Sequence, residues 1–168
     1  NPFLTPTSTS VFYGLCFGAV GDVLLLSRKK NVFMLGIFSF LINHIFYIRA
    51  YIQAGIDQRT ALMFIPLVVF TGYLVWRWLK DSAGELKYPV FGYIVVIAIA
   101  MDLSAGSLGV DRTSIPRIAL CLAMFVFFVS DLLVAQERFK THNVFVMALN
   151  APLYFGSQYV FASFSTLV

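Results

Sequence analysis

The stretch Val11-Phe-Tyr-Gly-Leu-Cys-Phe-Gly-Ala-Val-Gly-Asp-Val-Leu-Leu-Leu-Ser27 decides the fold class of this chain. It holds one charged residue, Asp22, in an apolar run of the length that an α-helix needs to cross a bilayer. A second stretch, Cys121-Leu-Ala-Met-Phe-Val-Phe-Phe-Val-Ser-Asp-Leu-Leu-Val-Ala135, has the same character around Asp131. Both stretches predict membrane-spanning helices with one acid inside.

The composition of the whole chain agrees with this prediction. Of its 168 residues, 60% are hydrophobic and 12% are charged, whereas soluble domains carry about 25% charged residues. Six apolar runs are long enough to span a bilayer: residues 9–27, 31–53, 61–79, 88–108, 115–136 and 143–166. We therefore predict that residues 1–168 form a single all-α domain, a polytopic transmembrane helix bundle. The short loops predict that consecutive helices are antiparallel neighbours.

The basic residues are distributed unevenly between the two sides of this predicted bundle. The loops after the first, third and fifth spans and the helix ends beside them hold eight of them: Arg28, Lys29, Lys30, Arg77, Lys80, Lys87, Arg138 and Lys140. The other side holds four: Arg49, Arg59, Arg112 and Arg117. The positive-inside rule makes the first side, here called the basic side, cytoplasmic. The net charge of +4 indicates no nucleic-acid partner.

Asp22 and Asp131 are the first functional candidates. A carboxylate at membrane depth costs several kcal/mol unless it is paired, protonated or hydrated, so such a residue is a functional hypothesis by default. Asp22 precedes Arg28 by six residues, about 9 Å along a helix, and Asp131 precedes Arg138 by seven, about 10 Å. The two acids are therefore expected at the same depth, and we predict that their carboxyl groups face one cavity.

Other polar side chains are predicted to lie near the two acids. Asn150, Tyr154 and Gln158 are four residues apart, so they share one face of the last span. The other candidates within spans are His44, Tyr47, Tyr93 and Ser130. Interhelical hydrogen bonding without chemistry remains an alternative for the Asn/Tyr/Gln face. Gly14, Gly18 and Asp22 are also four residues apart, and plain helix packing remains an alternative role for this stripe of glycines.

Several kinds of chemistry do not fit the residues. A zinc hydrolase needs about three protein ligands, and the only histidine besides His44, His142, lies in a loop, so we expect no metal and no cofactor. Ser130 and Asp131 are adjacent on a helix and point about 100° apart, so they cannot act as nucleophile and base. Cys16 and Cys121 lack a basic partner. Acid–base chemistry by paired carboxyl groups remains as the kind that fits the residues.

The chain resembles the YhhN-like lysoplasmalogenase family. The resemblance lies in Ala19-Val-Gly-Asp22, Phe33-Met-Leu-Gly36, His44-Ile-Phe-Tyr47, Phe128-Val-Ser-Asp131-Leu-Leu-Val-Ala135, and Tyr154 with Gln158. Members of that family have about eight spans, and the sequence opens on Asn-Pro-Phe-Leu without Met, so the chain is expected to be part of a longer gene product. Asp102 has no counterpart in the family pattern, and Tyr93 aligns about one residue away from it.

The resemblance implies hydrolysis of the vinyl ether bond of a lysoplasmalogen, a lysophospholipid, to a fatty aldehyde and a glycerophospho-ethanolamine or -choline. Asp22 and Asp131 would be catalytic, and the substrate would meet His44, Tyr47, Tyr93, Ser130, Asn150, Tyr154 and Gln158. Vinyl ethers yield to acid, so two carboxyl groups in different protonation states suit the reaction, as they do in glycosidases. The expected location is the bacterial inner membrane, or the endoplasmic reticulum in a eukaryote, with membrane lipids as neighbours.

Two other classes of protein use acids inside a membrane. A proton-coupled carrier or lipid transporter would relay protons through the same aspartates, and inverted repeats would favour it. A membrane assembly subunit would use the aspartates only for packing and would tolerate Asn in their place. The sequence leaves the oligomeric state and the headgroup preference open.

Overall fold

The structure is a computed structural model that describes residues 5–27 and 29–168. Within these ranges it contains six long α-helices: α1 (Pro6–Leu25), α2 (Lys30–Ala54), α3 (Gln58–Leu79), α4 (Lys87–Val110), α5 (Ile115–Phe139) and α6 (Val144–Phe164). Short 3₁₀ turns, Gly84–Leu86 and Ser165–Leu167, precede α4 and follow α6. The prediction of an all-α bundle with six spans is confirmed. The extent of a single domain over 1–168 stays a prediction, and Arg28 lies outside the described residues.

Three helix ends extend three residues beyond the predicted spans. Helix α3 begins at Gln58 rather than at residue 61, because the Asp57 side chain accepts a hydrogen bond from the Thr60 N–H at 2.9 Å and so caps the helix. Helix α1 begins before residue 9, because the Thr5 side chain accepts a hydrogen bond from the Ser8 N–H at 3.0 Å and Pro6 occupies the first turn, where proline is favoured. Helix α5 continues past residue 136 to Phe139. Polar residues mark the place where the hydrocarbon region ends, whereas the helix keeps its backbone hydrogen bonds beyond it.

The helices have the length and surface of membrane spans. All six are long and apolar enough to cross a bilayer, and large apolar side chains such as Val23, Met63 and Phe125 are exposed on the outside of the bundle. A water-soluble protein seldom exposes contiguous apolar surface of this kind. The protein is an integral multi-pass membrane protein.

Five of the helices form a ring, and the sixth packs outside it. Helix α1 packs on α2, α2 on α4, α4 on α5, α5 on α6, and α6 again on α1, while α3 packs on α4. Within the described ranges, α2 and α3 do not pack along their length, so the prediction that they are antiparallel neighbours is wrong. Gly55 turns the chain with φ 94°, and the Asp57 N–H donates to the Gly106 carbonyl at 2.9 Å. These contacts direct α3 onto α4.

Arg117 joins three helices on the side opposite the basic side. Its guanidinium donates to the Ala54 carbonyl at 2.6 Å, and to the carbonyl and the hydroxyl of Ser107 at 2.9 and 2.8 Å. These carbonyls belong to the last turns of α2 and α4, where a cation also offsets the negative end of the helix dipole. Arg117 therefore fastens α5 to the ends of α2 and α4.

The centre of the bundle is aromatic. Tyr47 and Phe127 are fully buried, and the Tyr47 ring stacks on Phe161 with centroids 4.2 Å apart. A Cβ on Gly14 would lie 2.6 Å from the Tyr47 ring. Glycine at this position therefore lets α1 and α2 approach each other closely.

Candidate active site

Asp22 lies near the basic-side end of α1 and is bound by a residue of α6. The Tyr154 hydroxyl donates a hydrogen bond to its Oδ2 at 2.9 Å. Gly18 lies one helical turn before Asp22, and a Cβ there would be 3.3 Å from the Tyr154 hydroxyl oxygen. The glycine leaves the room that Tyr154 needs. The half-buried Asp22 is thus held between α1 and α6.

Asp131 has an equivalent partner on α4. The Tyr93 hydroxyl donates to its Oδ2 at 2.7 Å. The same hydroxyl lies 3.5 Å from Nδ1 of His44, and this nitrogen is 2.8 Å from the Phe40 carbonyl oxygen. A carbonyl only accepts, so Nδ1 of the neutral ring carries the proton. His44 therefore lies two contacts from the Asp131 carboxyl.

A further set of polar contacts lies deeper in the bundle. The Tyr47 hydroxyl donates to Oε1 of Gln158, and a Cβ on Gly18 would lie 3.6 Å from Nε2 of Gln158. Asn43 donates from Nδ2 to the Gly14 carbonyl at 2.7 Å. Helices α1, α2 and α6 therefore meet through hydrogen-bonding side chains about one to two helical turns deeper than Asp22.

An apolar cleft leads from the basic side of the bundle to Asp131. Near the basic side it is lined by side chains that include Leu25, Phe33, Leu79, Ala135 and Phe139. Its polar lining residues are Tyr93 and Asp131. The Asp131 carboxyl is half-buried, so a molecule in the cleft would meet a single acid and its tyrosine partner in apolar surroundings.

Phe40 separates this cleft from the other acid. Its side chain lines the cleft, its ring meets the Tyr154 ring edge-on with centroids 5.9 Å apart, and it packs against Gly21. Among the described residues, Asp131 lines the cleft and Asp22 does not. That the two carboxyls face one cavity therefore stays a prediction, and it requires the Phe40 ring to move.

Cationic side chains surround the entrance to the cleft. The Arg138 guanidinium lies over the Phe33 ring, with Cζ 4.1 Å from the centroid, and the Lys140 ammonium is 5.8 Å from the Trp78 ring. Lys30 pairs with Glu85. An anionic group is therefore favoured at this end of the cleft.

The structure brings most of the predicted site residues together. Tyr154 contacts Asp22, Tyr93 contacts Asp131, and the rings of His44 and Tyr93 pack edge-on at 5.3 Å. Ser130 and Asn150, two of the predicted site residues, make fewer contacts. In the described part of the chain, the Ser130 hydroxyl and Oδ1 of Asn150 have no hydrogen-bond partner.

Sequence reasoning missed two residues of this region. Asn43 is fully buried, and its polarity next to His44 in an apolar span was a usable signal. Phe40 carried no such signal, because one phenylalanine among many looks like an ordinary packing residue. Within 5–27 and 29–168, no group of three His, Cys, Asp or Glu side chains is placed to hold a metal ion.

The family model of the YhhN family matches residues 2–164 of this chain. The chain belongs to the YhhN family. Similar proteins include "Lysoplasmalogenase TMEM86A" from Bos taurus, 25% identical over 159 residues, and the human protein of that name, 29% identical over 160. Each alignment covers 94% of this chain and 65% of the relative, so the chain spans slightly less than two thirds of these relatives.

A bacterial member of the YhhN family is also similar. It is named "Uncharacterized membrane protein YhhN", comes from Escherichia coli O6:H1, and is 25% identical over 167 residues. The alignment covers 95% of this chain and 75% of that protein. No solved structure matches this member of the YhhN family.

Proposed function

We propose that this protein is a lysoplasmalogenase, which hydrolyses the vinyl ether bond of a lysoplasmalogen through Asp22 and Asp131. The products would be a fatty aldehyde and a glycerophospho-ethanolamine or -choline. The names of the mammalian relatives support the activity. The mechanism is supported mainly by one observation: Asp22 and Asp131 each accept a hydrogen bond from a tyrosine of another helix, at 2.9 and 2.7 Å.

The chemistry needs one protonated and one ionised carboxyl group. The acid transfers its proton to the β-carbon of the vinyl ether, whose π electrons form the new C–H bond and leave an oxocarbenium ion. The carboxylate accepts a proton from water while the water oxygen bonds to the α-carbon, which gives a hemiacetal. The C–O bond to glycerol then breaks, the hemiacetal hydroxyl loses its proton, and the glycerol oxygen gains one. Each carboxyl group therefore acts once as an acid and once as a base in the reaction.

The dimensions of the cleft suit a lysophospholipid. Arg138 lies seven residues from Asp131, about 10 Å along α5 toward the basic side. Seven covalent bonds separate the phosphorus of a lysoplasmalogen from its vinyl ether β-carbon, which is about 9 Å in an extended chain. A phosphate near Arg138 would thus place the reactive carbon beside the Asp131 carboxyl.

The remaining polar residues would position the acids and the substrate. Tyr93 and Tyr154 would orient one carboxyl each through their hydrogen bonds. His44 would hold the Tyr93 ring through their edge-on contact, and Gln158 would hold the Tyr47 hydroxyl. Asn150 and Ser130 would meet the glycerol or the ether oxygen.

Conservative substitution of each acid tests the proposal. Asp→Asn preserves shape and hydrogen bonding but removes the ionisable group, so Asp22→Asn and Asp131→Asn should each lower kcat by about 10²–10⁴. The double variant should be little slower than either single variant, because the two acids act as a unit. Asp111→Asn is the matched control, since Asp111 is an exposed acid at the far end of α4 and lines neither the Asp131 cleft nor the groove between α3 and α4. It should keep wild-type activity on synthetic lysoplasmalogen, measured as aldehyde release.

The origin of the transferred proton provides a second measurement. In D₂O, the aldehyde should carry one deuterium on the carbon next to the carbonyl, if it is reduced to the alcohol as soon as it forms. A saturated alkyl ether lysolipid should not be cleaved, because it has no π bond to protonate. Full activity of a folded Asp131→Asn protein would refute the two-carboxylate mechanism, and no aldehyde from the wild type would refute the proposed function.

A further inference from the structure

We propose that the groove between α3 and α4 binds the hydrocarbon chain of the substrate, and that Gly72 keeps the junction between this groove and the Asp131 cleft passable. The proposal rests on the proposed function, because it extends the same site beyond the reacting bond. It commits the groove to one occupant, the single alkyl or alkenyl chain of an amphiphile with an anionic headgroup.

The groove is large and apolar. It has a volume of about 470 Å³ and is lined by side chains such as Val68, Val69, Val95 and Ile99. Val69, Val95 and Ile99 are also exposed on the outside of the bundle. A hydrocarbon chain in this groove would therefore remain continuous with the lipid around the protein.

The groove and the cleft meet at one residue. Ile94 lines both of them. Directly across from it on α3 lies Gly72, where an added Cβ would be 3.5 Å from the Ile94 side chain. An added methyl group would be in ordinary contact with Ile94, so the glycine leaves a space of about that size between α3 and α4. Because α3 packs on α4 and stands outside the ring of the other helices, this junction is the place where a chain can pass from the cleft to the groove.

The charge distribution orients the occupant. The cationic groups, including Arg138, lie at the basic-side entrance of the cleft, and the Asp131 carboxyl lies further in. Past Ile94 the groove continues along α4 to Asp102. An amphiphile with its anionic head at the entrance would place the bond next to its chain at Asp131 and the rest of the chain in the groove.

Chain-length dependence tests the proposal with a readout that a packing defect would not produce. Each methylene that enters an apolar site improves affinity by roughly fourfold. The wild type should therefore show kcat/KM rising with the length of the alkenyl chain until the groove is full. Gly72→Phe should reduce the ratio of kcat/KM between long-chain and short-chain lysoplasmalogens by about tenfold or more, with little change for the shortest chain.

Two further variants complete the series. Gly72→Ala adds a methyl group at ordinary contact distance and should have a small effect on the ratio. Gly92→Phe is the matched control, because a Cβ on Gly92 has nothing within 4 Å and Gly92 lines neither cavity. An unchanged ratio in active Gly72→Phe, or an equal loss at all chain lengths, would overturn the chain site while the proposed function stands. Absence of activity in the wild type at every length would refute the proposed function instead.

A binding measurement tests the groove without catalysis. Trp76 lines the groove, and the chain has only two tryptophans, so Trp78→Phe leaves Trp76 as the single reporter. A lysophosphatidylcholine with a brominated chain should quench Trp76 in a saturable way, and Gly72→Phe in the same background should weaken this binding by about tenfold. Quenching that rises linearly with lipid in both proteins would mean that the groove only dissolves bulk lipid, and it would overturn the proposal.

Discussion

Replacement of Gly14 by alanine gives a stability prediction that can be worked out from the packing of α1 on α2. The new Cβ would lie 2.6 Å from Cε1 and 2.9 Å from Cδ1 of Tyr47, and 3.2 Å from Nδ2 of Asn43. Tyr47 has little room to move, because it is fully buried, stacks on Phe161 and donates to Gln158. The new methyl group therefore overpacks the contact with Tyr47 and also displaces Asn43 from its hydrogen bond to the carbonyl of residue 14.

The magnitude follows from three opposing contributions. Overpacking of a filled core costs about 1–3 kcal/mol, and leaving a buried hydrogen-bonding group without its partner costs about 1–3 kcal/mol. Alanine recovers up to about 1 kcal/mol of helix propensity. The sum is a loss of about 3 kcal/mol, with extremes near 1 and 5. For a protein of this size, that loss lowers the midpoint of thermal unfolding by about 6–12 °C.

The assay is thermal unfolding of purified protein in one detergent, followed by circular dichroism. Gly156→Ala is the matched control, because Gly156 lies in α6 and an added Cβ there has nothing within 4 Å. Gly156→Ala should unfold within about 1 kcal/mol of the wild type. If Gly14→Ala and Gly156→Ala unfold at the same temperature, the close approach of α1 and α2 at Gly14 is wrong.

Three further predictions concern other parts of the molecule. His44→Gln should reduce turnover by no more than about 10², because His44 acts through Tyr93, and complete loss in a folded variant would give His44 an acid–base role. Hydrogen bonds from the Thr60 hydroxyl and N–H lower the pKa of Asp57, so this carboxylate stabilises the fold above the unfolded pKa of about 3.9 and the stabilisation is lost as the pH falls further. The unfolding temperature of the wild type should therefore fall more steeply between about pH 5 and pH 3 than that of Asp57→Asn, and parallel profiles would contradict this. Arg117→Lys should cost about 1.5–3 kcal/mol of unfolding free energy, because an ammonium cannot bridge the ends of α2 and α4 as the guanidinium fork does; equal unfolding temperatures would show that the fork is dispensable.

The sequence predicted the helices well because spans of this length have few alternatives in a bilayer. It erred where a helix extends into the polar region, at the starts of α1 and α3 and at the end of α5. It also erred on the partner of α3. The length of a loop says that two helices are connected, but the turn at Gly55 and the hydrogen bond from Asp57 to the Gly106 carbonyl decide where the second helix goes.

For the candidate site, the sequence identified the residues but not their pairing. Counting residues along each span gives depth, which is why Asp22 and Asp131 could be placed in one layer. Pairing depends on the rotation of each helix about its axis, so the contacts of Tyr154 with Asp22 and of Tyr93 with Asp131 became visible only in three dimensions. The same limit applies to Phe40, whose position between the cleft and the other acid depends on the packing of three helices.

The hydrogen bonds of Arg117 to α2 and α4 determine which end of the bundle can open. These hydrogen bonds fix α5 to α2 and α4 at the end far from the cleft, so this end is the pivot of any tilt of α5. Helix α5 has 25 residues, which makes it about 37 Å long, so a tilt of about 5° at the pivot displaces the other end by about 3 Å. The cleft entrance can then widen while the hydrogen bonds of Arg117 stay intact, and the contact that must loosen is the edge-on packing of Phe139 on Phe33.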